Sequence, residues 1–429
     1  MDALLGLAGM LALMALGAPI FVALGATAMA MIWSEGRPLL DAAMHAVSGI
    51  NSTTFLAVPF FVMAATFMQR GGVARVIIDA AEAWVGHLRG GLALVCVLAT
   101  TLFAAISGSS VVTAMAMGTF LIPAMMARGY RRPFALGTLA ASGTLGILIP
   151  PSLSMILYGL IAEQSVPRLF LAGVVPGLIQ ACVLAAVVTL ISRRHGYASA
   201  ERLPRAEFLR RNLRALPALA IPLSVFAGIY SGLTTVTESA GIAAIMAVLV
   251  SLLIYREIGW RDVFPMTAEA MKAASAVTFI VMFALLFAHW ITGSGVPTSL
   301  VRLATDLGLT SWQFLLALNA IMFVLGMFLD AVAVLLIVTP IVLPLLEQLG
   351  IDPVHFAIVL IVNMEIAFIT PPIGLNLFVL ASIARAPVAE AVKGVLPFIG
   401  AMIGFLLVVT YVPELSLWLP NLILGPSGR

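Results

Sequence analysis

Three stretches, 213–229, 240–255 and 273–290, are almost wholly apolar and long enough for a helix to cross the roughly 30 Å hydrocarbon layer of a bilayer. A chain that carries several such runs cannot hide them in one water-soluble core. Of 429 residues, 62% are hydrophobic and only 10% charged, against roughly 25% charged in an average soluble domain. Long apolar segments, rather than ten-residue alternating ones, exclude an outer-membrane barrel, so helices must satisfy the backbone. The expected class is an all-α polytopic membrane protein. The opening MDALLGLAG has no Lys or Arg and reads as a first membrane helix, not a cleaved signal peptide. Cys96 and Cys182 sit in apolar runs without metal-like spacing and read as packing residues.

The charge pattern orients the chain. The linker 192–214, SRRHGYASAERLPRAEFLRRNLR, holds seven Arg and two Glu. Short Arg-rich loops stay on the cytoplasmic side. One Tyr and one Phe do not make a stacking platform, so the basic pI of about 9.1 is no sign of nucleic acid. From this anchor, 169–191 and 133–162 form spans on one side, the second broken near Pro150-Pro151. On the other side 213–230, 240–255 and 273–290 follow, then a surface-lying segment 295–308.

The two halves echo each other at an offset of 221 residues. FLIPAMMARG ends at Gly129 and IVLPLLEQLG at Gly350; Pro123 falls on Pro344, Pro150-Pro151 on Pro371-Pro372, and Ser109 on Asp330. Arg128, Arg131 and Arg132 follow the first copy, whereas Glu347 and Asp352 take the corresponding place in the second. Basic residues mark the inner side, so the two units are expected to run in opposite directions. Inverted repeats with discontinuous helices are a transporter architecture that holds ligands near the midplane.

Between Phe103 and Pro133 the stretch SGSS interrupts the apolar sequence. A single straight crossing over 111–126 would be short, so a re-entrant hairpin with a polar tip is expected, lined by protein or a wet cavity. Ser107, Ser109, Ser110 and Thr113 offer hydroxyls there. Gly143 and Gly146 allow close backbone approach, and Pro150 and Pro151 leave carbonyls one turn earlier free. Such oxygens suit a hard cation, and the absence of a carboxylate favours sodium over a divalent ion. Small-residue helix packing is the other reading.

The second group lies in GMFLDAVAV and NMEIAFITPPIGLN. Asp330, Asn363, Glu365, Thr370 and Asn376 are polar groups in membrane-compatible runs. An ionisable group there needs a partner, a cavity or a proton. Asp330 or Glu365 can ligate an ion, relay a proton or lock a helix interface, and backbone carbonyls near Thr370-Pro371 can do the ligation alone. Elsewhere, Glu238 in TTVTESAG reads as a first-turn acid beside a helix cap. His289 and Trp290 read as interfacial. VIIDAAEAWVGHL, flanked by Arg70, Arg75 and Arg89, reads as an amphipathic stretch on the membrane or against a neighbouring subunit.

Taken in order, SGSSVVTAMAMGTFLIPAMMARGY, GTLGILIPPSLSMILYG, GMFLDAVAVLLIVTPIVLPLL and GIDPVHFAIVLIVNMEIAFITPPIGLNLF resemble the large membrane subunit, the DctM-type permease, of tripartite ATP-independent periplasmic (TRAP) transporters. The resemblance covers essentially the whole chain. It implies inverted repeats with two re-entrant helical hairpins and discontinuous helices, moving as an elevator. The implied division is 1–90 scaffold and surface arm, 91–168 first transport repeat, 169–308 central scaffold, 309–386 second transport repeat and 387–429 C-terminal scaffold.

The resemblance also implies sodium-coupled import of a small organic anion across a bacterial inner membrane. The partners would be a small four-span DctQ-type subunit, a periplasmic DctP-type binding protein and membrane lipids. The first ion site would use Ser107, Ser110, Gly143, Gly146 and Pro150; the second would use Gly326, Ala367 and Thr370. Family members commonly carry glycine where Ala367 stands. The anion would lie between the tips, near Ser109, Ser110, Thr144, Asp330, Thr370 and Asn376. An ion-coupled anion transporter without a binding protein is the alternative. No GxxxxGK[ST] phosphate loop is present, and no catalytic pair or metal cluster suggests an enzyme.

Overall fold

The computed structural model describes residues 2–197 and 200–426, and every regular element among them is helical. The chain opens with α1 (Asp2–Ala15), α2 (Ile20–Ser34) and α3 (Leu39–Ile50). It continues through α4 (Ala57–Arg70) and α5 (Val73–Val85) into α6 (Gly91–Ser107) and α7 (Ser110–Ala127). A broken pair follows, α8 (Arg132–Thr144) and α9 (Leu153–Ile161), with a 3-10 turn (Leu145–Ile147) between them. Next come α10 (Val166–His195), α11 (Arg205–Tyr230), α12 (Val236–Leu249) with a π-helical continuation, α13 (Trp260–Gly293) and α14 (Val296–Asp306). The pattern then recurs with α15 (Ser311–Phe328), α16 (Ala331–Gln348), the broken pair α17 (Pro353–Ala367) and α18 (Leu375–Ile383), α19 (Val388–Tyr411) and α20 (Glu414–Leu424).

Helix boundaries follow the offset read from the sequence. Ser107 and Phe328 end the first arms, Ser110 and Ala331 open the second, and Ala127 and Gln348 close them, each pair 221 apart. Gly129 and Gly350, again equivalent, both take left-handed backbone after those arms. The peptide bonds Pro150-Pro151 and Pro371-Pro372 are both cis. By length and composition, eight helices among the described residues can cross a membrane, or nine if α4 and α5, bent by 68°, form one span.

Packing separates two neighbourhoods. α13 packs on α2, α3 and α4, and α12 on α4 and α11. α8 packs on α6, α7, α18 and α19, while α17 packs on α10, α15, α16 and α19. Small residues make the second neighbourhood tight. A Cβ at Gly143 would stand 2.8 Å from the Ala114 Cβ, and Gly137 and Gly394 let the α8 and α19 backbones touch.

Several expectations shift. The linker 192–214 is mostly helical: α10 runs on to His195 and α11 starts at Arg205, with residues 198 and 199 outside the described residues. Glu207 explains the early start of α11, since it pairs with Arg210 and Arg211 one helical turn on. The span over 273–290 belongs to a 34-residue helix, α13, about 51 Å long at 1.5 Å per residue. The crossing that looked short over 111–126 is an 18-residue helix, α7, itself long enough to span. The hairpin is larger than SGSS suggested, with its first arm beginning at Gly91. Trp290 is fully buried within the protein, its Nε1 donating to Glu35 Oε1 at 3.1 Å. The stretch 76–88 rests on this chain's own α6 and α11. Glu238 closes a capping box with Thr235.

Candidate functional site

The first tip is built by a change of backbone at two residues. Gly108 adopts φ +61°, a left-handed conformation that ends α6, and Ser109 is extended at the N-cap of α7. A Cβ at Gly108 would lie 2.9 Å from the Pro151 carbonyl oxygen, so only glycine fits between tip and break. The tip is tied there, because Leu153 N–H donates to the Gly108 carbonyl at 3.3 Å.

Oxygens gather behind this tip. The Ser107 and Thr113 hydroxyls are hydrogen-bonded to each other, and Ser107 Oγ donates to the Ser109 carbonyl at 3.3 Å. Gly146 lies against the same group: a Cβ there would stand 2.5 Å from the Ser109 carbonyl oxygen and 2.7 Å from Thr113 Oγ1. Gly146 is therefore glycine because oxygens occupy the place of its side chain. Ser110 faces elsewhere. Its buried hydroxyl accepts from Asn376 Nδ2 at 2.8 Å, and the same nitrogen reaches the Ala140 carbonyl at 3.3 Å. Asn376 Oδ1, fully buried, makes no hydrogen bond. The Thr144 hydroxyl is bonded back to Ala141 at 2.8 Å within its own helix. Gly143 serves the approach of α8 to α7, as described above. The break around Pro150, residues 148–152, is buried throughout.

The second tip follows the same plan with different residues. Leu329 and Asp330 are both extended, and Asp330 is the N-cap of α16, as Ser109 is of α7. Ile373 N–H donates to the Met327 carbonyl at 3.4 Å, again tying tip to break. Gly326 makes room for Ala367: a Cβ at 326 would come within 2.5 Å of the Ala367 Cβ. The alanine at 367 is thus accommodated by the hairpin. Thr370 bonds back to Ile366 at 2.7 Å, and its N–H occupies one lone pair of the Ala367 carbonyl at 3.1 Å. Pro372 and Ile373 are exposed.

Two buried polar contacts flank these sites. Gln180 Nε2 on α10 donates to Glu365 Oε2 at 2.5 Å, leaving Glu365 Oε1 and Gln180 Oε1 unpartnered. Asn363 Nδ2 donates to both the carbonyl and Oδ1 of Asn319, whose Nδ2 reaches Thr410 Oγ1 at 2.9 Å. Sequence reading passed over Gln180 and Asn319. Each is a lone amide within an apolar run, which was the available signal.

A protein-family model described as "Tripartite ATP-independent periplasmic transporter, DctM component" matches residues 7–415. The chain belongs to this family. It is a multi-pass inner-membrane protein of a multi-subunit TRAP system, and its activity is ion-coupled secondary transport of a small organic anion, not an enzymatic reaction. The C4-dicarboxylate TRAP transporter large permease protein of Pseudomonas aeruginosa is 43% identical over 86% of each chain. Its counterpart from Rhodobacter capsulatus is 37% identical over 99% of this chain and 100% of its own. The YdaH transporter of Alcanivorax borkumensis, at 15% identity, shares the fold of this TRAP permease with a TM-score of 0.62 over 89% of each chain.

Proposed function

We propose that this permease imports a dicarboxylate-class anion with sodium by an elevator movement. The two copies stand in opposite orientation, and α6–α7 and α15–α16 are re-entrant hairpins whose tips meet the two helix breaks. The moving part contains 91–168 and 309–386. The scaffold contains the arm within 1–90, most of 169–308 and the end of 387–429. α10 and α19 pack on α17 and α8, which favours their travelling with the moving part. A DctQ-type subunit braces the scaffold, and a DctP-type protein delivers the anion.

The observation that carries this reading is the oxygen cluster behind the first tip. The Ser109 carbonyl and the Thr113 hydroxyl lie against Gly146, and the Ser107 hydroxyl is bonded to both, an oxygen set that suits a hard cation. Ser110, Gly143 and Pro150 complete the first ion site through the backbone they fix. Gly326, Ala367 and Thr370 supply carbonyls for the second. The anion binds between Ser109, Ser110, Thr144, Asp330, Thr370 and Asn376. There α7 and α16 begin, with Ser109 and Asp330 as their N-caps. The C4-dicarboxylate relatives favour this substrate class. Ions bound at the tips favour the anion-competent form, which couples the two ligands.

The test is uptake of a labelled C4-dicarboxylate into proteoliposomes containing this chain, its small subunit and the binding protein. Uptake is expected only with an inward sodium gradient and the binding protein present. Equal uptake without sodium contradicts the coupling; equal uptake without the binding protein contradicts the delivery route.

A further inference from the structure

The basic face of the molecule carries an ion-pair network that the transport sites do not use. Arg128, the C-cap of α7, donates from Nη2 to Glu82 Oε1 at 2.7 Å. The other oxygen of the same carboxylate, Oε2, receives Arg211 Nη1 of α11 at 2.9 Å. Arg211 Nε in turn reaches Glu207 Oε1 at 3.0 Å. Glu82 is half-buried on α5 and therefore holds the foot of the first hairpin and the start of α11 with one carboxylate.

Further contacts hold α5 to α11. Trp84 Nε1 donates to Asn212 Oδ1 at 2.7 Å, and the Trp84 ring meets Phe208 edge-on at 5.2 Å. Gly86 accepts from Ala200 N–H at 3.0 Å, which ties the end of α5 to the chain leading into α11. Among the described residues Arg128 makes the ion pair from α5 to the hairpin, beside the Arg75 guanidinium of α5 lying over the Phe120 ring of α7 at 5.5 Å. α5 also packs on α6, but an apolar face can slide along its neighbour, whereas a directional ion pair must break. The second copy has no counterpart, because the positions 221 residues on are Leu303 and Leu349.

We propose that Glu82 and Arg128 form a lock on the inner face that closes in the arrangement seen here and parts in each transport cycle. This inference rests on the reading above that the hairpins move against the arm. Because the lock exists in one copy only, it weights one end of the movement against the other. An ion pair of this exposure shifts a two-state equilibrium by up to about fivefold, enough to bias the cycle without arresting it.

Cross-linking tests the lock directly. In a chain with Cys96→Ala and Cys182→Ser, the pair Glu82→Cys and Arg128→Cys is joined by a short, reducible bis-thiol reagent. The chain is then reconstituted with its small subunit and binding protein. Sodium-driven uptake is expected to fall to that of protein-free vesicles and to return on reduction. Uptake by the cross-linked chain at the reduced rate would overturn the lock. The pair Glu82→Ala and Arg128→Ala, which cannot be cross-linked, is expected to transport with or without the reagent.

A second readout uses spin labels at Ala127→Cys and Ala206→Cys. Arg128→Gln is expected to lower the short-distance population by up to about fivefold, and an unchanged distribution would overturn the lock. Absence of sodium-driven uptake by the native chain would instead sink the reading beneath it.

Discussion

The two hairpin tips occupy equivalent places and solve the same packing problem in opposite ways. At the first tip the glycine is on the broken helix: Gly146 yields its side-chain space to the Ser109 carbonyl and the Thr113 hydroxyl. At the second tip the broken helix carries Ala367, and the hairpin yields through Gly326. The first turn is made by a left-handed glycine, Gly108, and the second by an extended Leu329. Hydroxyls fill the first tip, whereas the positions equivalent to Ser107, Ser110 and Thr113 are Phe328, Ala331 and Val334. In the proposed ion sites, the first tip would offer side-chain and backbone oxygens together, and the second backbone carbonyls alone. The glycine of each tip thus relieves a different contact, backbone and hydroxyl oxygens at Gly146 and the Ala367 methyl at Gly326.

The largest effect is expected from Gly146→Val. Its side chain would enter the oxygen cluster, and sodium-driven uptake should be lost while the protein still reaches the membrane. Ala367→Gly, at the equivalent position, should leave uptake near native, because Gly326 already supplies the space. If both variants behaved alike in the uptake assay, the two tips would not differ as described.

Gly326→Ala comes next. Overpacking against Ala367 should destabilise the protein by about 1–3 kcal/mol, read as a lowered midpoint of thermal unfolding in detergent. Adding Ala367→Gly should restore most of that loss. A double variant no more stable than Gly326→Ala alone would show that these residues do not compete for one space.

How much of this was legible in the sequence depends on the kind of contact. The 221-residue offset set Ser109 on Asp330, because a proline-glycine frame and apolar period are local signals, and both turn out to be helix N-caps. The Arg-rich segment 205–214 read as a linker because its charge dominated, yet Arg and Glu are good helix formers and pair along a turn. The bond between Ser110 and Asn376 was not legible, since nothing periodic links residues 266 apart. Nor was the Gly326–Ala367 exchange, which depends on the spacing of two helix backbones. Gln180 carried a signal, but its partner Glu365 is fixed only by how α10 lies on α17.

Smaller effects sharpen the contrast between the tips. Ser110→Ala removes an acceptor from buried Asn376, and a net loss of roughly 1 kcal/mol should lower apparent sodium affinity about fivefold. In a double-mutant cycle Asn376→Ala should add little to it; full additivity in the sodium titration would mean that the bond does not serve the site. The smallest change is expected from Asp330→Ser, which gives the second tip the cap of the first. Ser and Asp are near-equal N-caps, so stability should shift by less than about 0.5 kcal/mol. Sodium affinity should hold as well. A large drop in sodium affinity would make the Asp330 carboxylate a ligand.

The dependence of initial uptake rate on sodium concentration tests the central claim most directly. Two tips that each bind an ion before the anion is carried predict a sigmoidal curve, one that loses its cooperativity together with its rate as the first tip is altered at Ser110 or Gly146. A hyperbolic curve in the native protein, unmoved by those substitutions, would contradict the account.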